Sequence, residues 1–168
     1  MRGLTLVLGS VVWGLVGCTA VPELPAPQGV FRAAKAPIAS STRFDPASMA
    51  GVWRVTAAFA SAEGTLPAAQ LEMRMSGPAI LVTRGAWMMP KGTYEIAELP
   101  GRLVRQGGPE VWLLWVDDDW RTAVMGAPDG RVGWIMERGK ASADRTRAAR
   151  EILAWQGFDL TKLREVAQ

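Results

Sequence analysis

Asp117, Asp118 and Asp119 form a run of three carboxylates, the chain's most concentrated reactive grouping. Such a run offers a cation site or an acid–base pair, but three neighbours at a turn point in different directions and converge on nothing. The 168 residues contain no histidine. That removes Ser-His-Asp and Cys-His pairs, His-ligated metals and the usual pH switch. There is one cysteine, Cys18, so no disulfide forms within the chain. Neither catalysis, a metal site nor a cofactor is expected. Arg138 poses the sharper question. It ends the stretch GAPDGRVGWIMERG, residues 126–139, which reads as a turn and then a strand. Trp134 and Arg138 share a face of that strand but lie roughly 13 Å apart at 3.3 Å per residue. The arginine must find its partner elsewhere in the fold.

The elements that position it alternate in short runs from Gly51 onward. Strands are predicted at about 51–60, 70–76, 79–85, 92–98, 101–106, 110–117, 119–126 and 131–138, separated by SGPA, LPGR, RQGGPE and GAPDGR turns. Eight hairpin-linked strands suit an all-β, up-and-down antiparallel β-barrel, which closes on itself and leaves no edge; a flat meander or a sandwich has the same signature. One α-helix follows, packed outside. Ser142 is its N-cap and Asp144 lies in its first turn. Ala148, Ala149, Ile152 and Leu153 form its apolar stripe, and Gly157 ends it with Phe158 as the accompanying contact. The tail DLTKLREV reads as extended.

Ahead of the strands, Arg2 precedes an apolar run from Leu4 to Val16, shorter than the roughly 20 residues of a membrane span. LVGC, residues 15–18, resembles the lipobox of bacterial lipoproteins. That resemblance makes residues 1–17 a signal peptide and Cys18 the lipidated new N-terminus, carrying acyl chains of the palmitate type. Thr19 is not the aspartate that commonly retains such proteins at the inner membrane, so the resemblance implies the periplasmic face of the outer membrane. Residues 18–46, rich in Pro, Ala and Ser, read as a tether, with residues 47–168 as the domain. Phe31 and Phe44 are the tether's candidates for docking. Loss of Arg2 takes the formal charge from +3 to +2, a balance that leaves no footprint for nucleic acid.

Three motifs resemble those of the lipocalins over residues 51–168. GVWRV carries Gly-x-Trp at Gly51 and Trp53. VDDDWRTAVM resembles the second motif, with Trp120 in place of a tyrosine, and GAPDGRVGWIMERG resembles the third. AWQGFDLTKLREVAQ is similar to the tail of bacterial outer-membrane lipocalins. The resemblance implies that Trp53 plugs the closed end of the barrel with Arg138 lying across it. The arginine's remaining donors then hold backbone carbonyls ahead of Gly51. It also makes the acidic run mostly a turn-former.

Alternation then places Trp53, Val55, Ala57 and Phe59 inside, with Thr122, Val124, Trp134 and Met136. Arg54, Thr56, Gly133, Ile135 and Glu137 face out, Ile135 toward the helix. EVWLLWV is apolar on both faces and is left unassigned, as are strands two to six. An interior of this kind suits a small apolar partner, a fatty acid or lysophospholipid, with a charged head near Lys91, Arg84 or Arg102. The alternative is a barrel filled by its own side chains that contacts another envelope component from outside.

Overall fold

The computed structural model describes residues 29–168. Eight antiparallel strands follow one another round a closed cylinder. They are β1 (Gly51–Phe59), β2 (Gln70–Ser76), β3 (Ala79–Arg84), β4 (Gly92–Ile96), β5 (Arg102–Arg105), β6 (Glu110–Val116), β7 (Thr122–Gly126) and β8 (Gly133–Glu137). Each pairs with the next. β1 completes the ring, pairing with β8 along one side and with β2 over Gly51–Arg54 on the other. The upper part of β1, which β2 does not reach, is covered by a short β9 (Leu163–Glu165), so the tail protects an edge.

β7 begins at Thr122, three residues later than the sequence predicts, and the cause is local. The Asp117 carboxylate accepts from the backbone N–H groups of Arg121 (2.7 Å) and Thr122 (2.6 Å). The chain winds into a turn in which Trp120 adopts φ 54, the single non-glycine positive φ among the described residues. The helix, α2 (Ala143–Trp155), starts after Ser142, whose side chain makes no capping bond. It ends as expected at Gly157 (φ 88): Phe158 N–H donates to Leu153 O (3.0 Å) and Gly157 N–H to Ala154 O (2.9 Å), a glycine-dependent C-terminal motif.

The expected tether is docked over much of its length. Phe31 N–H donates to Gly130 O, Ala33 N–H to Gly157 O and Ser41 N–H to Leu113 O, all within 2.7–2.9 Å. The Gln156 amide pairs with both backbone groups of Ala39. Phe31 is buried and stacks on Phe59 (centroids 5.7 Å), which stacks on Phe158 (5.1 Å). Phe44 is half-buried against the barrel's inner cluster. The folded domain therefore begins before residue 47. This strap ends in a single helical turn, α1 (Pro46–Met49), capped by the Asp45 carboxylate. Residues 1–17 and Cys18 lie outside the described residues.

Two apolar clusters share the wall between them. The inner one gathers Trp53, Val55, Ala58, Leu71, Met73, Ile80, Tyr94, Leu103, Met125, Trp134 and Met136 with others. The outer one joins Phe31, Ala57, Phe59, Trp112, Leu114, Val124 and Ile135 to Ala149 and Leu153 of α2. Ile135 meets the helix as the sequence predicts.

Candidate functional site

At one end of the barrel the opening question is answered. The Arg138 guanidinium lies 3.8 Å from the centroid of the Trp53 ring. One of its terminal nitrogens donates to Met49 O (3.0 Å) and Ala50 O (2.5 Å), the backbone just ahead of Gly51. Trp53 Nε1 donates to the same Met49 carbonyl at 2.9 Å. α1 thus serves as a small lid whose carbonyls are held by both partners of the stack. Burial lowers the Arg138 pKa below its ordinary value, yet the side chain stays cationic because a guanidinium starts so high. The aspartate run belongs to this floor. Asp117 builds the turn, Asp118 pairs with Arg43 of the strap, and Asp119 reaches Arg121 at 4.0 Å. The three carboxylates point to three different partners.

Above the floor is the candidate binding site, the barrel interior. Trp53, Val55, Trp134 and Met136 face inward as the alternation predicts. Four of the predicted lining residues do not. Ala57 and Phe59 lie in the outer cluster because β1 carries a bulge: its register against β8 steps between Val55 and Ala57. One extra residue reverses the alternation above it, turning Ala58 inward instead. Val124 is also outside, packed with Ile135, its direct partner across the ladder, and buried Thr122 is paired with Glu137. Residues directly opposite share a face, so inward Met136 fixes Ala123, not Val124, as the inward residue of β7.

The interior is closed off from solvent: Trp53, Leu71, Met73, Ile80, Tyr94, Met125, Trp134 and Met136 are each fully buried. The connection 85–91, between β3 and β4, folds into the mouth and buries Met88 and Met89 there. It is pinned by mutual backbone bonds between Ala86 and Met89. Gly85 permits the fold, since a Cβ there would lie 2.5 Å from Lys91 N. The Tyr94 hydroxyl donates to Pro90 O at 3.0 Å, and burial pushes its pKa up to about 12. Six of the chain's eight methionines sit in this inner cluster. Their unbranched side chains rearrange more readily than Leu or Ile, so the filling is adaptable.

The three cations offered as head-group partners separate. Arg102 stacks on Trp112 (3.9 Å) on the outer wall and does not face the mouth. Arg84 pairs with Gln70, and Lys91 is exposed on the mouth connection. The cation that sequence reasoning missed is Arg105. It lies directly across from Tyr94, two residues beyond inward Leu103 on the same strand. Its Nε would sit 2.8 Å from a Cβ on Gly92. The signal was available in the spacing from Leu103, but β5 was not assigned a face. Met88 and Met89 were also legible as an apolar pair inside a turn region.

The lipocalin-like domain family matches residues 94–168. No curated protein matches the chain. Among solved structures, the Per a 4 allergen of cockroaches superposes with a TM-score of 0.56 at 16% identity, covering 79% of this chain and 94% of that one. The siderocalin Ex-FABP, described as functioning through dual ligand specificities, gives 0.56 at 16% identity over 72% of this chain and 95% of its own. Lobster apocrustacyanin A1 gives 0.51 at 15% identity over 72% and 78%. The closed eight-stranded barrel with its single large helix is the lipocalin fold that these structures share, while the family match itself spans fewer than half of the residues.

Proposed function

We propose that this protein is a lipid-anchored envelope lipocalin that holds a small apolar molecule of the fatty acid or lysophospholipid class inside its barrel. The observation that carries the reading is the inner cluster: two tryptophans, a tyrosine and six methionines buried within the ring of strands. A guest entering there is stabilised by burial, about 25 cal/mol per Å² of apolar surface removed from water, while the methionines give way. Val55, Trp134 and Met136, inward by alternation, are the proposed contacts, joined by Ala58 and Met125. Arg105 at the mouth, with Lys91, is the proposed place for a charged head.

The anchor in this proposal is Cys18, lipidated after removal of residues 1–17, at the periplasmic face of the outer membrane. Its support is the lipobox-like LVGC and the apolar run before it. Among the described residues no helix is long and apolar enough to cross a membrane. Two acyl chains or more hold a protein firmly, where one is marginal.

A second reading, a filled barrel working through its outer surface, is favoured by the complete burial of the interior and by Trp155, 80% exposed on α2. Native extraction of the untagged protein followed by lipid mass spectrometry decides between them. Co-purifying single-chain lipid, with quenching of tryptophan emission by added fatty acid, is the expected result. Absence of both moves the function to the outside of the barrel.

A further inference from the structure

Three fully buried side chains of the inner cluster carry an N–H or O–H group, and two are satisfied. Trp53 Nε1 donates to Met49 O and the Tyr94 hydroxyl to Pro90 O. The third, Trp134 Nε1, is buried with no partner among the described residues, and its ring is fully enclosed. Its ladder neighbours are Met125 on β7 and Ala58 on β1, whose side chains bring no oxygen. A buried N–H without an acceptor is among the rarer and more destabilising features of a folded chain.

We infer that Trp134 is the polar anchor of the barrel's guest, its indole N–H donating to a neutral acceptor oxygen on an otherwise apolar molecule. The inference rests on the proposed binding role of the barrel and adds to it a specificity rule. The acceptor is neutral because Trp134 is fully buried between the apolar side chains of Met125 and Ala58, where an ionised carboxylate would lose its hydration, while the inward-facing cation, Arg105, is paired with Tyr94 in the β4–β5 ladder. A ketone, ester or ether oxygen satisfies the N–H without that penalty. Position adds to the argument. Trp134 is the second residue of β8, roughly 13 Å along the strand from Arg138, which leaves the stretch toward the floor for hydrocarbon. A plain alkane would fill the same space and leave the N–H unpaired. The site therefore distinguishes guests by one oxygen.

The test compares 2-undecanone with undecane on the full-length protein and on Trp134→Phe, which keeps an aromatic ring and loses the donor. Affinities come from equilibrium dialysis, and the Trp134 indole resonance from ¹⁵N-labelled wild-type protein with through-bond assignment. The ketone is expected to bind wild type more tightly than the alkane and to move the indole proton downfield. Trp134→Phe should weaken the ketone about fivefold to tenfold more than it changes the alkane, the range expected for one buried hydrogen bond. Equal ketone binding by wild type and variant, or a bound ketone that leaves the indole proton unmoved, overturns the anchor while the binding role stands. A cross-peak from that proton to a buried water which persists with ketone bound overturns it too. Failure of both probes to bind wild type refutes the binding role itself. If the variant does not fold, the wild-type resonance decides alone.

Discussion

The floor and the mouth of this barrel are built on different principles. At the floor, contacts are directional and redundant. Arg138 stacks on Trp53, both donate to Met49 O, and Asp45 caps the turn that presents that carbonyl. At the mouth, the fill is mostly apolar and adaptable: Met88 and Met89 are tucked in by a seven-residue connection held by a pair of backbone bonds and one tyrosine hydroxyl. Directional contacts fix one geometry, whereas flexible side chains tolerate several. One end is made to stay shut and the other to rearrange.

The strongest way to break that contrast is to remove the plug. Trp53→Ala should destabilise the fold by about 3–5 kcal/mol, the range for large-to-small changes in a packed core. Urea unfolding would show this as a lower midpoint with little change in slope. A loss under 1 kcal/mol would mean that the floor is as adaptable as the mouth. Arg138→Met keeps the side chain's reach over the ring but loses the stack and both carbonyl bonds. About 2–3 kcal/mol is expected, combining a cation–π contact with charge-assisted hydrogen bonds. In a double-mutant cycle with Trp53→Leu the two changes should couple rather than add, because they share Met49 O.

The floor was the part most legible in the sequence, and the reason is physical. Gly-x-Trp, the aspartate turn and the terminal arginine each need a particular side chain at a particular place, so their identities survive in the letters. The strands were legible too, because Gly, Pro and Asp mark the turns between them. The interior was legible only where alternation runs unbroken. At β1 a single bulge between Val55 and Ala57 turned Ala57 and Phe59 outward, and no residue type announces it. At β7 the mistake was one of phase: Ala123, Val124 and Met125 are all apolar, so only pairing with β8 shows which face is which. The strap's docking is legible only as a possibility at Phe31 and Phe44, because several of its bonds to the barrel domain are backbone bonds, made by Phe31, Ala33 and Ser41 whatever their side chains.

Two titrations sharpen the comparison further, one at each end. Tyr94 is the chain's single tyrosine, so its ionisation can be followed alone by ultraviolet absorbance. Burial raises its pKa to about 12, from near 10 in the unfolded chain. The folded state therefore keeps a proton that the unfolded state releases, and stability should fall as pH rises from about 10 to 12. A folded-state titration near 10 would mean that the mouth already admits water to the phenol.

The smallest expected effect lies at the floor, in Asp45. The Ser48 hydroxyl first, then the Ser48 and Ala47 N–H groups, hold this carboxyl below its ordinary value of 3.8. A depressed folded pKa contributes stability that is present above the unfolded value and lost as pH falls below 3.8 through the folded one. Asp45→Asn should remove that part of the acid dependence and leave the alkaline, Tyr94-linked part untouched. Near-ultraviolet circular dichroism can follow the Trp53 environment during the acid titration, since α1 carries the carbonyl that Trp53 and Arg138 share. If the acid change at Trp53 persists in Asp45→Asn, the cap does not secure the lid. The rigidity of the floor would then come from the Arg138 stack alone.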